Sequence, residues 1–500
     1  MKNKLLYIPC CLLLIAMSGC NKFLDKEPDN RAKINTPEKV AQLLSTAYPQ
    51  GNYQAFAETM SDNVEDIGNG GADDLLNDVY YFRDTKENQQ DSPESFWYAC
   101  YTSIAAANQS LKTISEVANP DDYKNQKGEA LVARAFSHFM LVCFFSKFYD
   151  PATAATDPGI PYVTVPENVV IKQYERKTVG YVYEMIEKDL LEGMPLLEDK
   201  AYDIPKFHFN VAAAAAFATR FYLFKKDYAK VIQYAGQVIP SGNYAPFLRG
   251  INDPTSAYNT IDDVTELFKV YSRTSEAANL LLVETSSVWS RNYYSQRWGV
   301  GQEKADEVYP SGDLLSGGVT AYKRYSISSG THQLMPKIDE YFVRETVDAN
   351  FGQPYVMVPL FAVEEVLFSH AEALYYTGNV AGAIALLNTF ASRRITAYST
   401  VTHNITETKI NTVFPEVAGE TTSKKLPSVV QAILYYKRMD YVHEGMRWFD
   451  VLRYKLPVDH NIKKGGSVPD EHIILTPDDP RKVIQLPQSS LQAGLAQNPR

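Results

Sequence analysis

Apolar positions recur at three- and four-residue spacing along much of this chain, and that period predicts helices. Thr36-Pro37-Glu38-Lys39 opens the first, with Thr36 as a cap and Pro37 in the first turn. In "FWYACYTSIAAANQSLKTI", Trp97, Tyr101, Ile104, Asn108 and Leu111 follow the same spacing. The strongest helix of the first half is "QKGEALVARAFSHFMLVCFFSKFYD". Ala130, Ala133 and Ala135 allow close approach, Phe136, Phe139, Leu141 and Phe144 supply bulk, and Asp150-Pro151 ends it. Arg134, set inside this run, reads as structural.

Two segments share a helix–turn–helix grammar. In "NVAAAAAFATRFYLFKKDYAKVIQYAGQVI", Ala212 to Ala216 make a thin helix, and Lys226-Asp227 turn into a second. In "VEEVLFSHAEALYYTGNVAGAIALLNTFASRR", a helix runs to about Thr377, Gly378-Asn379 turn, and another starts at Val380. These are tetratricopeptide-like hairpins, far apart and without a clean period. Between them, residues 240–350 are rich in Gly, Ser, Pro, Asn and aromatics, which predicts short strands and long loops. Long ordered loops on a helical scaffold tend to carry function. The tail from Glu471 reads as loop with a short strand at most.

The N-terminus has another character. Lys2 and Lys4 precede an apolar run, Leu5 to Met17, that is short for a bilayer span. This is the layout of an export signal over 1–19. Met17-Ser18-Gly19-Cys20 resembles a bacterial lipobox, so Cys20 is expected to be lipidated and to start the mature chain. Residues 20–35 then form a tether to the bilayer. The expected divisions of the rest are a helical part at 36–239, an irregular ligand-binding part at 240–350 and a C-terminal part at 351–500. Cys100 and Cys143 stand in apolar surroundings and read as small buried thiols, with a disulfide left open.

Composition narrows the chemistry. A net charge of −10 argues against nucleic acid. The chain has no dinucleotide fingerprint, P-loop, nucleophile elbow or H-E-x-x-H. "SDNVEDIGNGGADDLLND" has the composition of a cation loop but not the order of a calcium-binding one, so a solvated loop is favoured over structural calcium. No catalytic residue, metal ligand or cofactor site is assigned.

Rings give the binding signal. Trp289, Tyr293, Tyr294 and Trp298 crowd together with Arg291 and Asn292 between them, and Tyr80 and Tyr81 form a second group. Flat rings flanked by hydrogen-bonding groups suit a sugar chain or a peptide, although core packing accounts for any one ring as well. Arg438, Glu444, Arg447 and Asp450 read as structural. The three-residue spacings from Glu444 to Arg447 to Asp450 predict pairing along one helix face, with Trp448, Phe449 and Leu452 on an apolar side.

Taken in order, "CNKFLDKEP", "WYACYTSIAAANQSL", "GEALVARAFSHFMLVCFFSKFYD" with "DPGIPYV", "AEALYYTGNVAGAIALLNTF", "YKRMDYVHEGMRWFDVLRYK" and "VIQLPQSSLQAGLAQNP" resemble the SusD/RagB family of Bacteroidota lipoproteins. The resemblance spans nearly the whole mature chain. It implies a mostly α fold, a tetratricopeptide-like scaffold with an irregular subdomain of short β-strands. It implies a lipid anchor at the outer membrane, surface exposure and no catalysis. It implies a partner, a SusC-like TonB-dependent transporter for which the lipoprotein is the lid, and a glycan or peptide ligand. Ser137-His138 departs from the family's aromatic positions, and residues 300–360 match no family pattern.

Overall fold

Side-chain caps written into the sequence start several of the helices. The computed structural model describes residues 34–500 apart from 69, 72, 86–87, 168–171, 328–330 and 467. The signal 1–19, Cys20 and most of the tether lie outside these described residues. Helix α1 is Pro37–Leu44, and the Thr36 hydroxyl accepts from the Lys39 amide at 3.4 Å. After α2, Gln54–Thr59, and α3, Asp74–Tyr80, Ser92 caps α4, Pro93–Glu116. Each cap satisfies an amide that the helix itself leaves unbonded.

Helix α5, Lys124–Phe145, is the axis of the scaffold and packs between α4 and α6, Val179–Gly193. With the turn before it, α5 is long and apolar enough to cross a membrane, yet its most apolar window of 18 residues is wholly buried in the protein. Its crossing with α6 is tight because Gly128 meets Gly193. A Cβ on either residue would come within 2.8 Å of the other's carbonyl oxygen. Arg134, inside α5, forks Asp189 of α6 at 2.7 and 2.8 Å. Its environment is structural, as expected. His138 is fully buried against Tyr162, ring centroids 3.8 Å apart, and burial pushes its imidazole down to about 3. Cys100 and Cys143 are both free and buried.

Both predicted hairpins are present. The first joins α7, Val211–Lys225, to α8, Tyr228–Val238, through left-handed Lys226 and an Asp227 cap. Four further short helices follow in the irregular part: α9, Ala257–Thr260; α10, Val264–Tyr271; α11, Trp289–Asn292; and α12, Gln302–Val308. The second hairpin joins α13, Val363–Tyr376, to α14, Val380–Ala391, where Asn379 accepts from Gly382 N at 2.9 Å. The hairpins pack on each other through α8 and α13 despite the chain between them. Buried Arg220 of α7 locks this contact, holding Glu365 of α13 at 2.5 and 2.6 Å. Helices α15, Glu407–Val413, α16, Ser428–Asp440, and α17, Met446–Arg453, complete the C-terminal part.

The irregular part contains more order than loops alone. Strands β2, Asn279–Ser286, β7, Gly352–Ala362, and β6, Glu340–Arg344, form an antiparallel sheet in the order β2-β7-β6. This sheet crosses the expected boundary at 350. Short pairs add β1, Glu65–Asp66, on β3, Trp298–Gly299, and β4, Tyr325–Ile327, on β5, His332–Leu334. A last pair joins β8, Val458–Ile462, to β9, Glu471–Leu475, which is the short strand expected in the tail.

Candidate functional site

The three-stranded sheet has one face in the core and one in solvent, because successive strand residues point to opposite sides. On β7, Pro354, Val356, Val358 and Leu360 are buried, whereas Gln353, Tyr355 and Met357 are exposed or half-buried. Register completes the outer face. Tyr355 stands opposite Ser286 of β2 and Tyr341 of β6, so these three form one rung; Glu284 stands opposite Met357.

The rung carries a pair of rings with polar groups around them. Tyr341 and Tyr355 stack with centroids 6.0 Å apart and planes 24° apart. The Tyr341 hydroxyl donates to the Glu284 carboxylate. Partial burial, and then that carboxylate, push the phenol well above its usual range. Gln90 reaches in from the loop before α4, donating to Ser286 Oγ and to Gln353 Oε1 at 3.3 Å. At the edge, Arg291 forks Glu340, the residue before Tyr341, at 2.8 Å through Nε.

A buried clasp holds that loop on the sheet. Asp91 accepts from Ser287 Oγ at 2.6 Å and from the Val288 amide at 2.9 Å. Asn52 also donates to Ser287 Oγ, at 3.0 Å. Burial pushes the Asp91 carboxyl up to about 7, against the lowering effect of these hydrogen bonds. The clasp fixes Gln90 and Ser286 side by side.

Most rings expected at the surface belong to the core. Trp289, Tyr293 and Trp298 are each 1% exposed and Tyr80 is 0% exposed. Trp289 Nε1 donates to the His443 carbonyl at 2.9 Å, and Tyr293 donates to the Met335 carbonyl at 3.3 Å. Trp298, Tyr80, His460 and Phe82 stack in a column with successive centroids 4.4, 4.2 and 4.7 Å apart. The expectation of a ring platform at these four residues is therefore corrected: each ring is enclosed in the core, where its large apolar area is removed from water. Tyr294 and Tyr81 are half-buried, edge-on to Tyr293 and Trp298, and Arg83 lies over Tyr81 at 4.5 Å. Arg291 is exposed and Asn292 half-exposed, accepting from Gln296 at 3.2 Å. Of the sequence-predicted residues, Arg291 is the one whose ion pair reaches the sheet site.

Glu444, Arg447 and Asp450 are buried, but they do not pair along a helix. Glu444 lies before α17, because left-handed Gly445 starts that helix, and it takes Lys337 Nζ at 2.8 Å. Arg447 forks Asp62 at 2.7 and 2.8 Å. Asp450 takes Lys437 of α16 at 2.6 Å, and Arg438 donates to Asn63 and Glu307. The pairing is corrected to one between elements, since α17 is enclosed by neighbours that bring counter-charges. Asp62 and Asp66, in the cation-like segment, are likewise spent on Arg447 and Arg297. Among the described residues no cluster of three or more His, Cys, Asp or Glu side chains is placed to hold a metal ion.

The sequence reasoning did not select Tyr341, Tyr355, Gln353, Ser286 or Gln90. A usable signal was the run of β-formers in "YVMV", which reads as a strand and so sends Gln353, Tyr355 and Met357 to one side. No local signal pairs Tyr355 with Tyr341.

Helical hairpins sharing one core with a small sheet are a known architecture. A SusD superfamily protein from Bacteroides thetaiotaomicron matches with a TM-score of 0.65 at 19% identity, covering 93% of this chain and 100% of that one. A SusD-like carbohydrate-binding protein from Bacteroides vulgatus matches with a TM-score of 0.62 at 14% identity, covering 92% and 96%. A laminarin-binding SusD-like protein matches with a TM-score of 0.53 at 18% identity, covering 92% and 97%. No curated protein matches. Residues 22–223 match the family model SusD-like_3, described as starch-binding associating with outer membrane.

Proposed function

We propose that this protein binds oligosaccharide at the outer-membrane surface and passes it to a SusC-like TonB-dependent transporter, over which it acts as a lid. The observation that carries the ligand class is the Tyr341–Tyr355 stack on the solvent face of the sheet. Apolar sugar faces lie flat on such rings, while Gln353, Ser286 and Glu284 offer hydrogen bonds to hydroxyls. The relatives described as carbohydrate- and laminarin-binding support the same class. The lipobox-like run Met17-Ser18-Gly19-Cys20 and the family description support the location, with Cys20 as the proposed anchor. The protein contributes no catalytic step in this reading. Its carboxylates pushed up by burial, such as Asp91 and Glu58, are engaged in hydrogen bonds within the protein.

Peptide is the second reading, and one feature favours it. Among the described residues β6 pairs with β7 alone, so its outer edge is free to add an extended chain. Glycan and peptide arrays probed with residues 21–500 separate the two. Glycan binding that weakens about tenfold in Tyr355→Ala supports the first reading, since a ring contact is worth about 0.5–1.5 kcal/mol beyond the area it buries. Glycan binding untouched by Tyr341→Ala and Tyr355→Ala sinks the sheet site. Peptide binding without glycan binding replaces the ligand class.

A further inference from the structure

Strand β6 is an open edge of the three-stranded sheet, since among the described residues it pairs with β7 alone. Its hydrogen-bond pattern decides which main-chain groups face outward. Just past the strand, the Glu345 amide donates to the Phe351 carbonyl at 3.3 Å, so these two residues are a bonded pair. Bonded and unbonded pairs alternate along an antiparallel ladder. Val343–Gln353 and Tyr341–Tyr355 are then bonded, and Glu340, Phe342 and Arg344 turn their N–H and C=O groups away from β7. The far side of β7 agrees. The Pro354 carbonyl, opposite Phe342, takes the Ser287 amide at 3.2 Å on the β2 side.

These outward groups lie on an exposed and apolar strand. Phe342 and Val343 are 48% and 47% exposed. Arg344 is exposed and makes no ion pair among the described residues. An edge of this kind is a template for another strand.

We infer that this edge pairs with the same edge of a second copy of the chain, antiparallel and about a two-fold axis at Phe342. In that register the strand Glu340-Tyr341-Phe342-Val343-Arg344 is its own complement. Phe342 meets Phe342 on the axis, and Glu340 meets Arg344 on both sides of it. The residues brought opposite each other in this way are the ones whose main-chain groups point outward, so each pair exchanges two hydrogen bonds. Glu340 already holds Arg291, and a carboxylate has lone pairs for a further donor. A shift of one residue sets the outward groups against groups already bonded to β7. A shift of two sets Glu340 and Arg344 against uncharged residues. Charge and main-chain pairing therefore select one register. It joins the two sheets into one and puts both Tyr341–Tyr355 stacks on the same face, because residues opposite each other share a face. The inference rests on β6 and holds whatever ligand that face takes.

The test is sedimentation of the full-length protein in density-matched detergent, at concentrations up to about 100 μM, where weak specific pairs are populated. A concentration-dependent dimer is expected. Phe342→Cys should form a disulfide between copies under mild oxidation, because the Cα atoms of a bonded pair lie about 5.5 Å apart, within disulfide reach. Val347→Cys, at a 90% exposed position off the axis in the same hairpin, should not. The native Cys100 and Cys143 are buried and do not compete. Arg344→Glu, which sets carboxylates opposite each other at both ends of the strand, should weaken the dimer by about tenfold. Phe342→Lys, which puts like charges together on the axis, should abolish it. A protein that stays monomeric, a Phe342→Cys variant that cross-links no faster than Val347→Cys, or a dimer indifferent to Arg344→Glu and Phe342→Lys overturns the inference. A monomer that takes an extended peptide along β6 overturns it as well and gives the edge to the peptide reading.

Discussion

Asp91 makes the joint beneath the sheet face sensitive to pH, in a direction opposite to that of an ion-paired carboxylate. It is fully enclosed, and burial raises its carboxyl from 3.8 to about 7. Hydrogen bonds from Ser287 and Val288 oppose the rise, while the carboxylates of Asp73 and Glu340 add to it. The native state therefore holds this proton more tightly than the unfolded chain does. Below about pH 4 both states are protonated, and the contribution to stability is at its most favourable. Between about pH 4 and 7 the unfolded chain gives up the proton first, so stability falls; above about 7 it levels off. A span of about three pH units at about 1.4 kcal/mol each gives a loss of about 4 kcal/mol. Asp91→Asn keeps an acceptor and removes the titration. Urea unfolding of residues 21–500 between about pH 4 and 8, taken as wild type minus Asp91→Asn, cancels the other carboxylates. The difference should fall by about 4 kcal/mol with rising pH. A flat difference, or one that rises, refutes the reasoning.

Arg134→Ala leaves the Asp189 carboxylate buried without its guanidinium and should cost about 3–5 kcal/mol, seen as a fall in Tm; an unchanged Tm counts against a structural role. Trp298→Ala removes a fully buried ring from the Tyr80 column and should cost about 3–5 kcal/mol of stability, whereas a loss of ligand binding at unchanged stability would restore the ring to the surface. Cys20→Ala should abolish lipid labelling and release the folded protein from the membrane fraction; a variant that stays anchored disproves the lipobox.

Local chemistry was legible wherever one stretch of chain contains both halves of an interaction. Thr36 caps its own helix, Asp227 and Asn379 start the second arms of their hairpins, and the alanines after Val211 declare a thin helix. These signals act over three or four residues, and residue type and spacing specify them fully. Together they were enough to indicate a mostly α chain with an irregular middle.

Tertiary structure alone decided which rings are buried and which charges meet. Trp289, Tyr293 and Trp298 look like a platform in sequence, but distant His443, Met335 and Tyr80 enclose them. Arg447 found Asp62 and Glu444 found Lys337, where spacing had suggested partners on the same helix. The exposed pair, Tyr341 and Tyr355, arises from register across two strands. Burial and pairing depend on contacts between residues tens to hundreds of positions apart, and no local pattern records which of the many tyrosines and charges will be brought together. Sequence by itself thus determined the helices and the hairpins they form, and packing determined the sheet and which side chains reach the surface.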